Sequence, residues 1–81
     1  MSSIAEKINT ILAEEFELDE EVLQPGASID EDLGLDSLDA VDLTVRLEEQ
    51  TGVRVDPKRF IGLRTLGDIH GMVEKLVEEA N

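Results

Sequence analysis

One hydroxyl in this chain stands where chemistry could be done to it. In Asp32-Leu33-Gly34-Leu35-Asp36-Ser37-Leu38, Ser37 falls at the start of a helical pattern. The first turn of a helix offers unpaired backbone N–H groups and the positive end of the helix dipole, both of which favour an anion. A phosphodiester on the Ser37 oxygen would be well placed, and a first-turn side chain is not locked into a helix–helix seam. Other chemistries fit worse. A nucleophilic serine needs a base, but His70 is the one histidine and no Gly-x-Ser-x-Gly elbow occurs. No catalytic residue is expected, and His70 reads as a surface polar residue. The acidic run Asp30-Glu31-Asp32 suggests a calcium loop. Counted from Asp30, however, the expected glycine is Leu35 and the expected glutamate is Val41, so no metal site is expected. On spacing alone, the ordinary account of Ser37 is a helix cap.

The elements that position Ser37 follow from periodicity. Ser3 and Glu6 match a capping box, and Ile4, Ile8, Ile11, Leu12 and Phe16 mark one face of a helix over residues 4–16. Residues 17–36 lose that period. Pro25-Gly26 signals a turn, and the scattered leucines and isoleucines predict an ordered loop over the core, with a helical turn near residues 19–22. A second helix runs from Ser37 to about residue 50, with Asp36 as N-cap and Gly52 just past its end. Asp56-Pro57 predicts a short third helix of one or two turns, and Thr65 with Asp68 opens a last helix over residues 66–79. Gly67 and Gly71 weaken that helix locally. The expected fold is all-α: an irregular four-helix bundle, three helices long and one short, with residues 1–81 forming one domain.

The second helix has one apolar stripe too many. At about 100° per residue, Ala40, Leu43 and Leu47 share one sector with Thr44, while Leu38, Val41 and Val45 lie nearly opposite. Asp39, Asp42 and Glu49 border the second stripe on one edge and Glu48 on the other. Carboxylates cannot face a core, so Ala40, Leu43 and Leu47 should go inward and the acid-rimmed stripe should be a docking surface. Alternatively, the long loop folds across Leu38, Val41 and Val45 and buries them.

Charge narrows the partners. Of 20 acids, 15 lie in residues 1–52 against Lys7 and Arg46 alone, while residues 53–81 balance, leaving a net charge of −13. Nucleic acid is an unsuitable partner, because its recognition needs clustered cations; basic protein surfaces suit this one. There is no apolar run of membrane-spanning length and no secretory signal, so a cytoplasmic protein is expected, and the charge predicts a monomer. With no cysteine, any thiol must be added after synthesis.

Asp32-Leu33-Gly34-Leu35-Asp36-Ser37-Leu38-Asp39, continuing into Val41-Asp42-Leu43, resembles the phosphopantetheine attachment motif of acyl carrier proteins. The first helix, the long loop, Leu47-Glu48-Glu49 and Thr65-Leu66-Gly67-Asp68 match that family in order, so the resemblance covers nearly the whole chain. It implies a 4'-phosphopantetheine arm on Ser37, transferred from coenzyme A by a phosphopantetheinyl transferase and holding acyl groups as thioesters. It also implies docking of ketosynthases, acyltransferases or acyl-activating enzymes through Leu38, Val41 and Val45. Asp36, Asp39, Asp42, Glu48 and Glu49 are the acidic contacts it implies, and the bundle interior could shelter the acyl chain. Arg46, Thr51 and the basic set Arg54, Lys58, Arg59 and Arg64 depart from the fatty-acid carriers, which points to a specialised carrier for a polyketide, unusual lipid or envelope product. An aminoacyl or peptidyl carrier is the alternative; an acidic interaction protein with unmodified Ser37 is the remote one.

Overall fold

The computed structural model describes residues 3–80. Ser3 opens α1 (Ile4–Glu15) by accepting the Glu6 N–H at 3.1 Å. Asp36 and Asp39 cap each other's backbone N–H at the head of α2 (Ser37–Thr51), and Gly52 closes it with φ 72°, a left-handed conformation that costs glycine nothing. Thr65 and Asp68 exchange the same kind of bonds at the start of α3 (Leu66–Ala80). The expected helix bounds hold to within a residue at every end.

The short helix expected after Asp56-Pro57 is a 3-10 turn, Pro57–Phe60, and the turn expected in the long loop is another, Glu20–Val22. Asp56 does accept an N–H, that of Lys58 at 2.9 Å, as its sequence position suggests. The turn stops because Ile61 leaves helical angles with ψ 124°. Among the described residues there are thus three α-helices and two 3-10 turns. One isolated antiparallel bridge, Ser28 to Thr65, is the only β pairing among them.

α1 packs on α2 and α3, and α2 packs on the Pro57–Phe60 turn. Ile8 and Leu12 meet Leu43, Leu47, Val55, Leu66, Ile69 and Val73 in a core where each is almost wholly buried. The long loop is ordered, as predicted, and adds Leu23, Ala27, Leu33 and Leu35. It is tied to the head of α3 by Ile29 N–H to Arg64 O, Leu66 N–H to Ala27 O and Gly67 N–H to Pro25 O, each 2.9 Å. Gly67 permits that approach, since a Cβ there would lie 3.0 Å from the Pro25 oxygen. No described helix is long and apolar enough to cross a membrane.

The two glycines of α3 separate propensity from packing. Around Gly71 nothing lies within 4 Å of an added Cβ. Gly71→Ala should raise stability by up to about 1 kcal/mol in urea unfolding. Gly67→Ala should fail to give that gain, and equal gains at both sites would contradict the close approach of Pro25.

Candidate functional site

Ser37 is the first residue of α2 and is exposed. The capping task belongs to its neighbour: Asp36 Oδ1 accepts the Asp39 N–H at 3.0 Å, and Asp39 Oδ2 accepts the Asp36 N–H at 3.1 Å. A cap is therefore not what Ser37 supplies, which removes the ordinary account of this serine. Ser37 lines a cleft of about 730 Å³ between α2, residues 29–36 of the loop and the Pro57–Phe60 turn. Leu35 and Leu43 form part of its apolar lining, with Ile29, Phe60 and Leu63 beside them.

α2 presents its two stripes as its sequence predicts. Leu43 and Leu47 are fully buried, Ala40 is half-buried, and Thr44 satisfies its hydroxyl by donating to Val41 O at 2.6 Å. The opposite stripe is open, with Leu38 80% exposed, Val41 46% and Val45 48%. The loop does not cover it. Ile61, at 81%, is as exposed as Leu38 and lines the same cleft as Ser37 and Val41. Sequence reasoning missed Ile61, because a residue outside any helical stripe carries no periodic signal of its direction.

The acids divide by environment. Asp36, Asp42 and Glu49 are exposed, while Asp39 and Glu48 are half-buried. Glu48 Oε1 accepts the Val55 N–H at 3.1 Å, so it braces the segment that follows α2. Arg46 approaches Asp42 at 3.8 Å, as its i,i+4 spacing suggests, and also Glu49 at 3.9 Å and Glu15 of α1 at 3.6 Å. Pairs this long and this exposed are worth under about 1 kcal/mol each. Their effect is on the surface of α2, where one cation partly neutralises the acids beyond the Ser37 end. Arg54, Lys58, Arg59 and Arg64 are exposed, and of these Lys58 lines the cleft.

Known proteins resemble this chain along most of its length. The sequence profile of the family described as phosphopantetheine attachment site matches residues 6–73. The chain is 43% identical over 76 residues to "Acyl carrier protein 2" of Ralstonia nicotianae, covering 94% of each chain. It is 39% identical over 75 residues to an acyl carrier protein of Rhizobium meliloti, covering 93% of this chain and 96% of that one. The crystal structure of an acyl carrier protein from Thermotoga maritima superposes with a TM-score of 0.77 at 28% identity, covering 93% of this chain and 87% of that one.

Away from the cleft, two groups titrate abnormally. Asp68 lies below the usual carboxylate range, because it accepts the Arg64 and Thr65 N–H groups. His70 is half-buried rather than a free surface residue, and its Nε2 lies 2.9 Å from Asn9 Oδ1, joining α3 to α1. Burial lowers its pKa below the ordinary 6.5, with Glu74 opposing. The unfolded chain therefore takes this proton first, so the contribution is intact above about pH 6.5 and is lost as pH falls through the lowered value. As the single histidine, its imidazole NMR titration is unambiguous. A midpoint below 6.5 is expected, and His70→Gln should flatten the acid side of the stability profile in that window. A midpoint at or above 6.5 would refute the burial argument.

Proposed function

The chain belongs to the acyl carrier protein family, a carrier of acyl intermediates rather than an enzyme, and we propose that Ser37 holds its 4'-phosphopantetheine arm. The observation that carries this reading is an exposed serine in the first turn of α2, freed from capping by Asp36 and lining an apolar cleft. These residues fit the arm. The hydroxyl is reachable by a transferase, the helix terminus favours its phosphodiester, and the cleft offers apolar walls to what is attached beyond it. When bound, the arm supplies the terminal thiol that holds the acyl group as a thioester; the chain, without cysteine, has no thiol of its own.

The rest of the work falls to α2. Leu38, Val41 and Val45 are the apolar centre on which we propose that partner enzymes dock, with Asp36, Asp39, Asp42 and Glu49 attracting basic surfaces around it. Glu48 joins this set with one carboxylate oxygen already engaged by the backbone of Val55. Partners in this reading are a phosphopantetheinyl transferase and the ketosynthases, acyltransferases or acyl-activating enzymes of a cytoplasmic pathway. Residues 1–81 act as one carrier domain, a monomer held apart by its charge. Arg46 and the cationic Pro57–Phe60 turn support a dedicated pathway over housekeeping fatty-acid synthesis. Equal rates with a housekeeping synthase system and with a dedicated partner would sink that part of the proposal.

Intact mass tests the attachment. After incubation with coenzyme A and a broad-specificity phosphopantetheinyl transferase, wild type should gain one arm and Ser37→Ala none. No gain on wild type, or a gain on the variant, rules out Ser37. The docking stripe has its own readout. Leu38→Ser should raise the transferase KM severalfold and leave Tm unchanged, because Leu38 is 80% exposed and packs on nothing that holds the fold. Added salt should raise the wild-type KM, since charges at this surface are screened over about 8–10 Å.

A further inference from the structure

An arm on Ser37 puts a phosphodiester at a fixed place in a hostile field. Asp36 precedes it in the chain, and Asp30 lines the same cleft. The helix terminus is worth only about half a charge, and Asp36 already occupies the Asp39 N–H. Within the cleft, one full cation stands ready to answer the anion. Arg46 is held among Glu15, Asp42 and Glu49. Arg59, beside Lys58 on the turn, lines a different recess with Arg54, Asp56 and Leu76. Lys58 is the one basic residue lining the cleft onto which Ser37 opens, and it makes no ion pair among the described residues.

The base of Lys58 is fixed while its head is free. Its N–H is held by Asp56 Oδ1 at 2.9 Å, its carbonyl accepts the Ile61 N–H at 3.1 Å, and Pro57 before it has a locked φ. Four methylenes then carry an ammonium point charge that needs no set geometry to meet a phosphate oxygen.

Resting on the Ser37 assignment, we propose that Lys58 is a positioning residue for the arm, pairing with the phosphodiester and laying the pantetheine along the cleft between α2 and the Pro57–Phe60 turn. The pairing draws the anchored end away from Asp36 and toward Phe60 and Ile61. A charged head on one wall and an open apolar floor then hold the arm against the protein between visits to partners. Because the pair is exposed, it is also releasable by salt or by a partner's own cations.

The test uses holo protein whose arm is first verified by intact mass, so that failure of attachment at Ser37 is seen separately, before any statement about Lys58. The arm is then observed by NMR through its phosphorus resonance and through nuclear Overhauser contacts from pantetheine protons to Val41, Phe60 and Ile61. Wild type should show those contacts and a phosphorus shift that moves with added salt. Lys58→Gln should lose the contacts and most of the salt response, Lys58→Arg should restore them, and Arg59→Gln, an equal change of net charge on the same turn, should leave them intact. Circular dichroism should match for all four proteins. Contacts that survive in Lys58→Gln, or that are lost equally in Arg59→Gln, would refute the proposal.

Discussion

The tie between the long loop and the head of α3 decides what the rest of the molecule can do. Residues 25–29 bond to residues 64–67 through three backbone N–H groups, and Gly67 yields the space for it. With Leu23, Leu33 and Leu35 buried in the common core, the loop leaves the outer stripe of α2 uncovered. α2 is thus left with one face in the core and a second apolar face in water, beginning one residue after Ser37. An exposed apolar stripe on a small acidic protein is the kind of surface that invites association, and a border of carboxylates favours basic partners over other acidic ones, which is the ground for the docking role proposed for it. The same loop returns to α2 at Asp36, so the chain that closes the core also forms one wall of the cleft.

Most of this was legible in one dimension because helices announce themselves by period and by cap. Residues 4–16, 37–50 and 66–79 carried both signals. The double stripe of α2 was readable for the same reason, and so was the direction of its two faces, since acids bordered only one of them. What was not readable depends on meetings between distant segments. The Pro57–Phe60 turn has an N-cap and a proline start but too little helix after it for period to distinguish α from 3-10. His70 looked like a surface residue because Asn9, its partner across 61 positions, leaves no mark in the local pattern. Ile61 and Lys58 gain meaning only when the turn folds against α2 and makes a cleft with Ser37. Glu48 shows the converse, an acid whose place on the rim was legible while its bond to Val55 was not.

Magnitudes separate the residues that build the site from those that use it. A chain of 81 residues has on the order of 4–12 kcal/mol of stability in all. Truncating Leu43 or Leu47 to alanine costs about 2–5 kcal/mol, so it can unfold the protein before it says anything about function. Asp36 and Asp39 are ambiguous in another way. Each is a proposed docking acid and one half of the capping box, so loss of either removes a helix cap worth about 1 kcal/mol together with a charge. Leu38, Val45, Ile61 and Lys58 carry no such double duty.

That division bears on how the carrier could be adapted to new partners without losing its fold. Core, caps and loop ties fix where Ser37 and the cleft lie, and they tolerate little change. The exposed side chains of Leu38, Lys58 and Arg59, and the guanidinium of Arg46, are held by nothing stronger than surface pairs, so substitution there changes the surface beside Ser37 at little cost in stability. Arg46 illustrates the point. Its three carboxylate partners all lie at 3.6 Å or beyond, and its Nε has no hydrogen-bond partner, a poor arrangement if stability were its purpose. Its effect on the surface potential of α2 is larger than its effect on the fold, because a single cation among Glu15, Asp42 and Glu49 changes the sign pattern that an approaching basic surface meets. The three carboxylates around Arg46 still outnumber it, so the acidic field there is weakened but not cancelled, while Asp36 and Asp39, at the end of the helix that carries Ser37, keep theirs in full.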